Sequence, residues 1–186
     1  MLIVAFIAVA FIVAIVRGGR LSDMANVPFR HFWLLFVPLL LQLALYSPLG
    51  ARLPIDAAAV PSIYVVSMLV GAVVAWLNRS LPGFPLLLAG LLSNLLVISM
   101  NGGYMPVSAD ARAISGMPPL AGSANNVMPL TATSALWFLG DILPVPRAIP
   151  LANVYSLGDV LITAGGVLFV LTALDSRYRA PAHEAA

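Results

Sequence analysis

The chain is built from long apolar runs separated by short polar clusters. Five runs stand out: Met1 to Val16, Phe32 to Gly50, Val60 to Leu77, Pro85 to Met100 and Leu157 to Leu174. Crossing the hydrocarbon core of a bilayer takes about 20 mostly apolar residues, each adding about 1.5 Å of helix. Each run approaches that length, so the pattern predicts an all-α integral membrane protein with about five transmembrane helices. The first run has no basic residue before it and is followed by "RGGR" where a small-residue cleavage site would stand. It is therefore expected to be a retained helix and not a signal peptide.

Between the fourth and fifth runs the pattern changes. The stretch 101–156 is rich in Gly, Pro, Ser and Asn, and no part of it keeps a helical or strand period for long. It is expected to form an irregular cap, ordered at "NGGYMPV" and less so over "SADARAISG". Gly102 and Gly103 permit a sharp turn, after which Met105, Pro106 and Val107 can fold back on the helices. A further apolar stretch, "VMPLTATSALWFLGD", runs for only about 14 residues, a length that suits a short interfacial or re-entrant segment.

Composition strengthens the membrane reading. Of 186 residues, 61% are hydrophobic and 9% charged, against about a quarter charged in soluble domains. A single membrane domain is the natural division, with a tail at 175–186. All nine basic residues are arginine, and cysteine is absent, which removes disulfides and thiolate chemistry. The net charge of +2 is small and scattered, so nucleic acid is not an expected partner. The bilayer is the expected one, together with another membrane protein or a membrane-embedded substrate.

Arginine placement sets an orientation, because basic loops stay in the cytoplasm. With five crossings and the N-terminus outside, Arg17, Arg20, Arg30, Arg79, Arg177 and Arg179 fall inside, and Arg52, Arg112 and Arg147 outside. The expected location is a bacterial inner membrane, with the C-terminus in the cytoplasm. The cap then lies on the outer face. Within the helices, Ser67, Gly71 and Ala75 have the small-xxx-small spacing of close helix contacts. Pro38 is expected to remove one backbone hydrogen bond from the second helix. Gln42 and Asn94 read first as bridges between helices, with a ligand contact as the alternative.

The candidate chemistry lies in two Leu-Gly-Asp triplets, ending at Asp141 and Asp159. The three prolines between them predict a turning link that returns the chain to the same face. Two readings follow. In the first, Ser156 and Asp159 form a capping box, Gly140 closes a preceding helix, and Asp141 sits in interfacial water. In the second, two close carboxylates share one proton: the charged one activates water while the protonated one donates to a substrate carbonyl. Asn101 is then expected to supply an amide to one carboxylate, with Gly102, Gly103, Asn153 and Ser156 supporting the site. No metal or cofactor is expected, since His31 and His183 lie on the cytoplasmic side.

The runs "NGGYMPVS", "WFLGDILPVP" and "NVYSLGDVLITAGG" resemble a family of bacterial multipass membrane proteins of unknown function, over nearly the whole chain. The layout from Gly140 to Gly166 is more distantly similar to the lipoprotein signal peptidases, membrane aspartyl proteases with one Asp after a helix and another opening the last helix. Those enzymes carry Asn three residues before each Asp and Arg after the first, where this chain has Phe138, Ser156 and Ile142. The resemblance implies an aspartyl-type hydrolase acting on a membrane-embedded peptide or lipid-linked substrate. The alternative is a non-catalytic accessory or assembly subunit of a larger membrane complex.

Overall fold

A computed structural model describes residues 2–47 and 55–175. Gly50 and Arg52, like Arg177, Arg179 and His183 of the tail, lie outside the described residues. The fold is mostly helical, and helices occupy all five apolar runs: α1 (Leu2–Val16), α2 (Phe36–Tyr46), α3 (Val60–Leu77), α4 (Phe84–Met100) and α6 (Leu157–Ala173), with a short α5 (Ala109–Ile114) in the cap. Of these, α3, at 18 residues, is long and apolar enough by itself to cross a membrane; the other four apolar helices are shorter.

The second run departs from the sequence expectation. It starts as a 3-10 turn at Phe32–Leu35 and becomes α-helical only from Phe36. Pro38 thus falls in the first turn of α2, where backbone N–H groups have no partner within the helix, so no interior bond is broken. Gln42 bridges helices as expected, its Nε2 donating to Ser67 Oγ on α3 at 3.2 Å.

The long helices alternate in direction along the chain, and α1 accordingly runs parallel to α6, with Ala10 and Ala14 packed on Val170 and Leu174 and Ile7 near Gly166. The tightest approach is between antiparallel α4 and α6. Gly83 sits against the Gly165 backbone and Gly90 against that of Gly158, two turns further along α4 and two turns earlier on α6. A Cβ on Gly165 would stand 2.6 Å from the Gly83 carbonyl oxygen, so only hydrogen fits there. The expected stripe on α3 is less critical. Ser67 and Ala75 are buried, but a Cβ on Gly71 would meet open space.

At the end opposite the cap, Asn78 pins the connection before α2. Its Oδ1 accepts from the Arg30 N–H at 2.7 Å, and its Nδ2 donates to the Arg30 carbonyl at 3.0 Å. Phe29, Phe84 and Phe169 meet edge-to-face beside it.

The cap is more regular than its composition suggests. Strand β1 (Met105–Val107) pairs in parallel with β2 (Val127–Pro129), and β3 (Leu143–Pro144) pairs antiparallel with β4 (Val154–Tyr155). The stretch "SADARAISG", expected to be the less ordered part, contains α5. Ser108 starts that helix by accepting from the Ala111 N–H at 3.3 Å, a serine N-cap. The segment 127–140 is not helical along its length: it comprises β2, turns and a 3-10 turn at Trp137–Leu139.

Candidate acidic site at the cap end

Asp141 is placed by backbone pairing. Its N–H donates to the Pro106 carbonyl at 2.9 Å, and its own carbonyl accepts from Ser108 N at 3.0 Å, extending the sheet edge of β1. Gly140 allows this approach, since a Cβ there would lie 2.6 Å from the Pro106 oxygen. Gly140 does follow the 3-10 turn, but in extended conformation (φ −71°, ψ −176°) and not as a left-handed cap.

The proline-bearing link returns as the β3–β4 hairpin, with Leu143 opposite Tyr155. Paired strand residues stand about 5 Å apart, so the hairpin brings Asp141 back beside Ser156 and the start of α6. There Ser156 and Asp159 form the expected reciprocal capping box. The Asp159 N–H donates to Ser156 Oγ at 3.0 Å, and the Ser156 N–H donates to Asp159 Oδ2 at 3.2 Å.

The second oxygen of Asp159 is held from another helix. Asn94 Nδ2 donates to Asp159 Oδ1 at 2.9 Å, while Asn94 Oδ1 accepts from Ser156 Oγ, also at 2.9 Å. Asn94, which the sequence presented first as a bridge between helices, is therefore part of the acidic site. It was overlooked as a site residue because 65 positions separate it from its partner.

Asp141 has the opposite environment. Its Oδ1 is sealed from solvent and meets no hydrogen-bond partner, although the residue as a whole is half-buried. Burial pushes the Asp141 carboxyl up to about 8, and the negative charge of Asp159 adds to the rise. Tyr64, on the first turns of α3, lies within electrostatic range of both carboxylates, and its hydroxyl accepts from Asn126 Nδ2 at 3.0 Å. The site thus pairs a carboxyl that has one enclosed, partnerless oxygen with a donor-rich carboxylate. Such a pair can hold one proton and one charge side by side.

The remaining expected residues divide. Asn101 does not reach the carboxylates: its Nδ2 donates to Val97 O at 2.7 Å and Ala135 O at 2.9 Å, and its Oδ1 accepts from Ala135 N at 3.0 Å. Both amide hydrogens are used in tying α4 to the segment before Asp141. Gly102 and Gly103 both have positive φ (68° and 89°) and turn the chain into β1. Gly103 also lies against Pro61 of α3, where a side chain would collide. "NGGYMPV" does fold over the site, but it reaches Asp141 through the Pro106 backbone. Asn153 contributes its carbonyl, accepting from Ser115 Oγ at 3.0 Å and from Val145 N at 2.8 Å. Among the described residues, no group of three or more His, Cys, Asp or Glu side chains is arranged to hold a metal ion.

Comparison with known proteins places these features in a lineage. An uncharacterised protein of Thermotoga maritima is 27% identical over 163 residues, covering 87% of this chain and 84% of that protein. No solved structure matches. The sequence profile of DUF5317, a family of unknown function, matches residues 26–171, which include every residue of the acidic site, and the chain belongs to that family.

Proposed function

We propose that this is a five-pass protein of a bacterial inner membrane and that Asp141 and Asp159 form an aspartyl-type hydrolytic pair at its outer face. The membrane reading is supported by where apolar side chains go. Val4, Val9 and Ile12 on α1, Leu39 and Leu43 on α2, Leu69 and Trp76 on α3, and Leu92 and Leu96 on α4 are all exposed, whereas Ser67, Asn78, Asn94 and Ser156 are buried. Lipid suits a protein that is apolar outside and hydrogen-bonded within. Helices shorter than the bilayer thickness are accommodated by local thinning or by snorkelling of flanking residues. The alternation of helices sets Arg17, Arg20, Arg30 and Arg79 at one end and Arg112 and Arg147 at the other, in keeping with a cytoplasmic N-terminal collar and an external cap.

The absence of native cysteine allows a direct topology test. Exposed Ala113 and Ser22 are each replaced by Cys and treated with a membrane-impermeant maleimide. Ala113→Cys should be labelled from outside, and Ser22→Cys only after permeabilisation; the reverse pattern overturns the orientation.

The hydrolase reading rests on one observation: a carboxyl with one enclosed, partnerless oxygen beside a carboxylate that has donors. In this mechanism Asp141, whose carboxyl burial pushes up to about 8, supplies the proton, and Asp159, which has the donors, serves as the base. Asp159 takes a proton from water as the water oxygen attacks a substrate carbonyl carbon. Asp141 gives its proton to the carbonyl oxygen. When the tetrahedral intermediate collapses, the leaving group departs with the proton from Asp159, and an intermediate hydroxyl returns one to Asp141. The test is hydrolysis of transmembrane and lipid-linked peptides by the protein in proteoliposomes. Asp141→Asn and Asp159→Asn should each abolish turnover while remaining folded; turnover surviving in both variants removes the reading.

The capping box favours a second reading, an accessory subunit of a membrane complex, because Asp159 already serves as a structural cap. On that reading Asp159→Asn weakens folding, and no peptide in the panel is cleaved by the wild type.

A further inference from the structure

The two carboxylates differ in what surrounds them. Asp159 receives donors from two elements: Asn94 of α4 on Oδ1 and the Ser156 backbone on Oδ2. Asp141 Oδ1 is enclosed and receives none. Donors stabilise the charged form of a carboxylate, and burial without donors disfavours it. Asn94 is itself fixed in place. It is buried, its carbonyl accepts from Ser156 Oγ, and the Gly158 backbone presses on its carboxamide. With its carbonyl held by Ser156, its amide nitrogen donates to Asp159 Oδ1.

We propose that Asn94 is the positioning residue of the acidic pair, donating to Asp159 so that the charge stays there and the proton stays on Asp141. This rests on the paired-carboxylate reading above and adds which residue assigns the roles. An amide suits the task because it donates without titrating, so its bond to Asp159 persists as pH varies. Asp141 faces Asp159 from the cap, and Tyr64, from α3, lies within electrostatic range of both. Of the polar groups bonded to Asp159, Asn94 on α4 and Ser156 at the head of α6 are neutral. Removing one charge-assisted donor should shift the partition of the proton between the carboxylates by roughly tenfold to a hundredfold.

The experiment is carbon-13 NMR of aspartate carboxyls in nanodiscs, with resonances assigned from Asp141→Asn and Asp159→Asn. In the wild type the step near pH 8 should belong to the Asp141 resonance. In Asn94→Leu the change in the Asp159 resonance should move to higher pH by about one to two units, while the Asp141 resonance keeps its step. If Asn94→Leu does not fold, Ser156→Ala serves instead, since it releases the anchor of the amide and should give the same change in weaker form. An Asp159 resonance that responds to pH in the folded variant as it does in the wild type overturns the proposal. The measurement needs no substrate. A wild type that cleaves nothing, together with an Asp159 response that moves in Asn94→Leu, would sink the hydrolase reading alone and leave the assignment standing.

Discussion

The Gly158 backbone lies directly against the Asn94 carboxamide, with no space between them for a methyl group. That contact sets the distance between α4 and α6, and with it the reach of Asn94 to Asp159. Gly158→Ala should force the helices apart and cost roughly 1–3 kcal/mol, as overpacking does. Gly71→Ala is the control, since its Cβ enters open space on α3. It should be neutral or stabilise by about 0.4–1 kcal/mol. Denaturation in detergent compares the two, and equal losses would show that the glycine contact does not set the packing.

Stability should fall as pH rises across a defined window. The Asp141 carboxyl goes from an ordinary 3.8 to about 8 on folding. Between those values the folded state keeps a proton that the unfolded state has released. Unfolding therefore becomes easier from about pH 4 upward, and the loss levels off above about pH 8. Asp141→Asn cannot ionise and should flatten this slope. Melting temperatures of both proteins measured over the same window decide the matter; parallel curves would mean that Asp141 carries no such coupling.

Asn101 should prove structural. Asn101→Ala strands the Ala135 N–H and carbonyl, a loss of about 1–3 kcal/mol for buried partners. The expected signature is faster hydrogen exchange in the segment before Asp141, with the carboxyl step near pH 8 unmoved. A displaced step would place Asn101 back in the acidic site.

At the opposite end, Asn78→Ala should free the connection before α2 by removing both bonds to the Arg30 backbone. A penalty of about 1–3 kcal/mol is expected. Hydrogen exchange at Arg30 should rise while the cap is unaffected. Unchanged protection at Arg30 would show that the phenylalanine contacts around Phe29 hold the connection without it.

The positions of the five apolar helices were legible because each run of hydrophobic residues is continuous and local. The Ser156–Asp159 capping box was legible for the same reason: both partners lie within one turn. Proline spacing announced the return of the chain between the two aspartates, and the hairpin pairing Leu143 with Tyr155 is its outcome. The cap strands were not legible, since two or three residues are too few to establish a period, and β1 pairs with a strand about twenty residues away. The helical start at Ser108 was overlooked because the six-residue α5 is too short to show periodicity.

The acidic site itself was decided by tertiary structure. Sequence singled out Asp141 and Asp159 as a recurring pair, but whether each is solvated depends on neighbours that sequence distance conceals. Asn94 reaches Asp159 because glycines on α4 and α6 let two helices touch, and Asn101 is diverted to Ala135 because that backbone lies within its hydrogen-bond reach. A side-chain amide binds whatever unsatisfied partner the packing brings within about 3 Å, and only the folded chain fixes which partner that is.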